Sequence, residues 1–211
     1  MNSLREKWYM SFERLEQNVA DAREQGWFVE GSANAEQLAF LRAAAAAVEI
    51  RQIAEIGFNA GYSSHAFLEA NPKAEVTSFD LAEHKYLSTA KEYIDDEFPG
   101  RHTLIAGDSQ QTVPRFGDAG RTFDLIFIDG GHTYDIARAD IANMSRLAHE
   151  KTVLIFDDLL PHKPWGEGPI QAWQWALDSG TVVQTGLFQD GVEVDAVSAD
   201  AARAWAVGRY L

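Results

Sequence analysis

The sequence predicts an α/β chain: a doubly wound, mostly parallel sheet of seven strands with helices added ahead of it. Three observations carry that expectation. From Ile50 onward, short apolar runs alternate with helical segments, the pattern of parallel strands covered on both faces. The runs end at Gly57, Asp80, Gly107, Asp129 and Asp157, where such sheets place their ligands. The tail holds two strands with no helix between them, an antiparallel edge.

Residues 3–25 are strongly charged, with Trp8, Phe12, Leu15 and Val19 near helical spacing, and predict an amphipathic helix that Gly26 stops. Asn34 is placed to cap a second helix running through Leu38, Leu41 and the alanines of 43–47. The chain divides into a helical cap (1–48) and a core (49–211) of one domain. Strands are expected at 50–56, 74–80, 102–106, 123–129 and 152–157, separated by helices near 62–70, 82–97, 109–116 and 134–148. A helix near 168–178 then precedes a strand at 181–188, a turn at Gln189-Asp190-Gly191 and a last strand near 203–210.

The 211 residues carry 18 Lys+Arg against 32 Asp+Glu, a net charge of −14 that repels phosphate backbones and excludes nucleic acid as the expected partner. Without cysteine there is neither a disulfide nor a thiolate metal site. No apolar run is long enough to span a bilayer, and charges occupy the place where an export signal needs an apolar stretch. A cytoplasmic protein without membrane contact is expected; a homodimer is left open.

The loop Glu55-Ile56-Gly57-Phe58-Asn59-Ala60-Gly61-Tyr62-Ser63-Ser64 lets the backbone approach a ligand closely, and the helix after it favours an anionic group. Its G-x-x-x-G spacing is not the G-x-G-x-x-G of a nicotinamide dinucleotide site. Asp80 stands 23 residues after Gly57 at the second strand tip, where a carboxylate accepts from both hydroxyls of a ribose. Asp108, Ser109 and Gln110 either meet an adenine edge or cap the next helix. Asp129 and His132 follow the fourth strand, and Asp157 and Asp158 the fifth. Three carboxylates at one sheet edge repel one another unless a hard divalent cation joins them.

With those residues in view, the stretch from 31 to 160 resembles the class I S-adenosylmethionine-dependent methyltransferases, in particular the metal-dependent O-methyltransferases. EIGFNAGYSS is similar to the methionine-binding loop of the catechol and caffeoyl-coenzyme A enzymes, and GDSQQTVPRF to their adenine-side segment. FDLIFIDGGHTYD with VLIFDD resembles the bacterial branch that methylates macrolide sugars. The resemblance implies a Rossmann-like methyltransferase fold. It implies donor-binding roles for Glu55, Gly57, Asn59, Gly61, Ser63, Asp80, Asp108, Ser109, Gln110 and Asp129. It further implies Mg²⁺ or another divalent cation on Asp129, Asp157 and Asp158, with His132 as catalytic base. The catechol enzymes usually carry Asn where Asp158 stands and Lys where His132 stands, so no catechol acceptor is implied.

The expected reaction is methyl transfer to a hydroxyl of a small molecule, a vicinal diol of a sugar or aromatic compound. Two other readings stand beside it: a metal-free methyltransferase on nitrogen, sulfur or carboxylate, and a catalytically silent donor-binding protein. Among the other histidines, His65, His84 and His149 are expected in helices, His102 opens a strand, and His162 lies near the same edge. The 161–169 loop with Trp165 and the N-terminal helices are the expected lid and substrate wall; Trp173 and Trp175 are expected to be helix packing.

Overall fold

The computed structural model describes residues 2–31, 33–117 and 120–211, with side chains from Phe12 onward, so Trp8 falls outside the described side chains. Two helices, α1 (Asn2–Glu24) and α2 (Ala35–Ala45), come first. There follow β1 (Gln52–Ile56), α3 (Tyr62–Ala70), β2 (Glu75–Asp80), α4 (Lys85–Glu97), β3 (His102–Ala106) and α5 (Ser109–Gly117). The chain continues through β4 (Phe123–Ile128), α6 (Tyr134–Met144), β5 (Ala148–Phe156) and α7 (Glu167–Asp178). It ends with β6 (Val182–Gln189), β7 (Val192–Glu193) and β8 (Ala204–Tyr210).

The strands form one sheet in the order β3-β2-β1-β4-β5-β8-β6-β7, with the first five parallel. Among the described residues it has eight strands rather than the expected seven, the addition being the two-residue β7. The Asp190-Gly191 turn folds β7 back onto β6. The two tail strands form the expected antiparallel pair, with the last strand on its inner side. β8 inserts between β5 and β6 and pairs antiparallel with both.

Alternation along the strands divides the core. Ala54, Ile56, Ile126, Ile128, Leu154 and Phe156 face Val113 of α5, Ile141 of α6 and Trp173 of α7. Ile53, Leu125, Phe127 and Ile155 face Leu41, Phe67 and Leu87 of α2, α3 and α4, with Phe12 and Leu15 of α1 joining them. Buried parallel strands need both coats. Asn34 caps α2 as expected, its side chain accepting from the Gln37 N–H at 2.9 Å.

Two helix bounds moved for local reasons. α4 starts at Lys85 because Asp80 Oδ1 accepts the Ala82 N–H and Ala82 takes φ +58, outside helical range. α6 stops at Met144 and a short 3₁₀ turn, Ser145–Leu147, hands the chain to β5, which begins four residues early because Ala148 pairs with Phe123.

Candidate active site

The strand order reverses between β1 and β4, and that junction holds the site. Gly57 leaves β1 with φ +96, its N–H donating to Phe79 O at 2.9 Å. A Cβ at Gly57 would stand 1.9 Å from the Asp129 carbonyl oxygen, so only glycine lets the two strand exits run side by side.

Asp80 receives the Asn59 N–H on Oδ2 (2.9 Å) and the Ala82 N–H on Oδ1 (2.8 Å). Each carboxylate oxygen keeps lone-pair capacity for a further donor, as a ribose diol requires. Asn59 is committed elsewhere. Its Nδ2 donates to Gly31 O at 2.9 Å and its Oδ1 accepts the Tyr86 hydroxyl at 2.6 Å, tying the segment after α1 across the glycine loop.

Glu55 and Ser63 turn inward. Glu55 is fully buried and accepts hydrogen bonds from Ser63, Ser64 and Ser78, with Ser78 at 2.9 Å from His102 Nε2. Burial pushes the Glu55 carboxyl above its ordinary range. It holds His102 down to about 3, with Lys91 a smaller contributor. This network holds Glu55 and Ser63 together at the base of the loop. Gly61 begins α3 with φ +83.

Past β3, Asp108 caps α5 by accepting the Gln110 N–H at 2.9 Å, and Gln110 is exposed. Ser109 donates to Asp140 on α6 at 2.6 Å.

Asp129, His132 and Asp158 converge, each offering one ligand atom, all within 4.8 Å of one another. His132 Nε2 lies 2.8 Å from Asp158 Oδ2. That hydrogen bond raises the imidazole pKa against the opposing effect of burial. Burial, with Asp157 and Asp158 adding, pushes the Asp129 carboxyl well above its ordinary range. Asp158 itself adopts φ +62, a left-handed conformation rare for a residue other than glycine. Gly168 lets α7 abut this corner, since a Cβ there would stand 2.2 Å from His132 O.

Asp157, expected to join the other two aspartates, lines the same pocket but is not one of the three residues whose ligand atoms lie within 4.8 Å of one another. Its Oδ2 accepts the Gln37 amide of α2 at 2.6 Å, while its Oδ1 is buried without a hydrogen-bond partner, and burial pushes its carboxyl up to about 7. Gln37, 1% exposed, was not legible as a site residue, because a lone Gln in an amphipathic helix reads as its polar face. Arg203, just ahead of β8, supplies the positive field on Asp129 and Asp157. Its place followed from the unforeseen insertion of β8.

The remaining histidines sit elsewhere. His65 lies in α3 against Glu97 (3.1 Å) and His84 is the residue before α4. His149 lies on β5 rather than in a helix, paired with Asp124 at 3.1 Å, because β5 begins early. His162 Nε2 meets Ala201 O at 3.2 Å. Trp173 packs on Phe156 as expected, and Trp165 is 41% exposed with Lys163 over its ring. Among the described residues no helix is long and apolar enough to cross a membrane.

The family model described as a methyltransferase domain matches residues 54–159. No curated protein matches the chain in sequence. Among solved structures, the chain is similar to an O-methyltransferase from Bacillus cereus in complex with SAH. That match has TM-score 0.75 and 18% identity, covering 94% of this chain and 90% of that one. Cofactor-bound Rv0187 from MTB gives 0.76 and 20%, covering 97% and 95%. The O-methyltransferase TomG from Streptomyces achromogenes, involved in tomaymycin synthesis and in complex with SAM, gives 0.74 and 19%, covering 94% and 89%. With half its length matched by the family model and its whole fold shared with these enzymes, the chain belongs to the methyltransferase-domain family.

Proposed function

We propose that the protein is an S-adenosylmethionine-dependent O-methyltransferase that acts on a small-molecule hydroxyl with the help of a divalent cation. The observation that carries the reading is the convergence of Asp129, His132 and Asp158 beside the glycine loop and Asp80. The carboxylate oxygens of Asp129 and Asp158, within 4.8 Å of each other, suit a hard cation, and the orphaned Oδ1 of Asp157 is a further oxygen in the same pocket. Asp129 and Asp158, with Asp157, are the residues that would hold it. Such an ion supplies Lewis acidity that stabilises a deprotonated hydroxyl.

The rest is done by the chain. The glycine loop and the start of α3 bind the donor's amino-acid end, and Asp80 its ribose. In-line displacement needs the attacking oxygen, the methyl carbon and the sulfonium sulfur aligned, which orientation alone can favour by about 7–11 kcal/mol at best. His132 takes the hydroxyl proton on Nδ1, the ring nitrogen that Asp158 leaves free, with the Nε2–Asp158 hydrogen bond fixing the ring. A vicinal diol offers two oxygens to this corner, one to react and one to hold.

A second reading has its own observation. The His132–Asp158 pair is by itself a base with its orienting carboxylate, which needs no metal. Incubation with methyl-labelled donor, Mg²⁺ and a panel of diols, amines, thiols and carboxylates tests both. Label in a diol supports the main reading. Label only in an amine, thiol or carboxylate moves the assignment to the metal-free one.

A further inference from the structure

Gln37 has no part in the chemistry above, yet it is a polar side chain of α2 with 1% exposure. The pattern Asn34-Ala35-Glu36-Gln37 is that of a capping box, in which the last side chain turns back to the N–H of the cap. Half of the box is made: Asn34 Oδ1 accepts the Gln37 N–H at 2.9 Å. The other half is not. Among the described residues Gln37 Oε1 is buried without a hydrogen-bond partner, and Nε2 donates instead to Asp157 Oδ2 at 2.6 Å, 120 positions along the chain. A buried, unpaired acceptor costs stability that packing does not ask for, since Leu38 and Leu41 already seat this part of α2 on the core.

The Gln37 amide decides what Asp157 can offer an ion. The Asp157 N–H donates to Ile128 O at 3.0 Å, which fixes its backbone against β4 and leaves its side-chain torsions to be set by other contacts. With Oδ2 taken by the amide, Oδ1 is the oxygen without a partner, and Asp157 lines the same pocket as Asp129, His132 and Asp158. A carboxylate held in this way ligates through one oxygen. Mg²⁺ and Mn²⁺ take a near-octahedral set, which carboxylates giving one oxygen each can fill. Ca²⁺ is larger, takes more ligands, and gains from carboxylates that give both oxygens.

We propose that Gln37 is a positioning residue that sets the choice of cation: by holding Oδ2 of Asp157 it leaves Oδ1 alone to reach the ion, so that the pocket favours Mg²⁺ or Mn²⁺ over Ca²⁺. This rests on the divalent-cation reading above and deepens it.

Calorimetric titration of the full chain with Mn²⁺ and with Ca²⁺ tests it, in the wild type and in Gln37→Met, which keeps the reach of the side chain and removes its amide. The wild type is expected to bind Mn²⁺ at least about tenfold tighter than Ca²⁺, and in Gln37→Met that preference is expected to shrink to within about threefold. The ratio, not the affinity, decides, because a purely structural role lowers both affinities together. Asn34→Ala loosens the same helix but keeps the amide, and is expected to hold the wild-type ratio. Gln37→Ala supplies the answer if Gln37→Met does not fold. An unchanged ratio in a folded Gln37 variant, an equal fall in Asn34→Ala, or no Mn²⁺ preference in the wild type overturns the assignment. A wild type that binds neither ion overturns the divalent-cation reading itself.

Discussion

The Nε2 of His132 lies 2.8 Å from Oδ2 of Asp158, joining the exit of β4 to the exit of β5 across the candidate active site. The imidazole is thereby oriented by a carboxylate that also belongs to the acidic cluster. His132→Ala is expected to lower kcat by about 10²–10⁴, the usual cost of losing a general base. Donor affinity should stay unchanged. Divalent-ion affinity, read by Mn²⁺ titration, should also be retained; its loss would make His132 a ligand rather than the base.

Asp80 accepts backbone hydrogen bonds from Asn59 and Ala82, and in the proposed reading its remaining lone pairs take the donor's ribose. Asp80→Ala is expected to weaken S-adenosylhomocysteine binding at least tenfold, about 1.4 kcal/mol, in line with charge-assisted hydrogen bonds. Calorimetry measures this directly. Unaltered affinity would place the ribose elsewhere.

Gly57 runs against the carbonyl of Asp129 at φ +96. Gly57→Ala should therefore cost at least about 2 kcal/mol of stability, combining left-handed strain with overpacking against backbone. Denaturant unfolding checks the figure, and a loss under about 0.5 kcal/mol, the usual surface effect, would contradict the close approach.

His102 is kept neutral by burial, its pKa held to about 3. The unfolded chain takes up that proton near pH 6.5, so it binds more protons than the folded one between about 6.5 and 3. This contribution to stability is complete above 6.5 and is lost as pH falls, by up to about 1.4 kcal/mol per pH unit. His102→Gln cannot titrate and should remove that part of the slope. Parallel stability curves for the two proteins between pH 4 and 6 would contradict the buried neutral state.

The sequence was most legible where one local rule decides. The helix expected at 62–70 is α3, since Gly61 opens it and Asn71 closes it. The parallel half of the sheet followed from apolar runs alone. Pairing order in the tail was not legible, because β8 could sit on either side of β6 with the same alternation; its contact with β5 is a tertiary choice. The site divides in the same way. Strand-end position announced that Asp129 and Asp158 meet at one corner, but side-chain direction did not follow from it. Glu55 and Ser63 share the loop's pattern and bond to each other beneath it, while Asp157 is held by Gln37 from another helix. Asp140 and Gln37 were hidden because one polar residue on a helix looks solvated until the neighbouring layer is known.

The central claim is metal-assisted methyl transfer to oxygen at the Asp129–His132–Asp158 corner. The most direct measurement follows label from S-adenosylmethionine into a diol acceptor after exhaustive chelation, and again after adding back Mg²⁺ or Mn²⁺. The account predicts that transfer falls to background with EDTA and returns with either ion, while donor binding is unaffected throughout. Full-rate transfer to the diol in the chelated protein would contradict it.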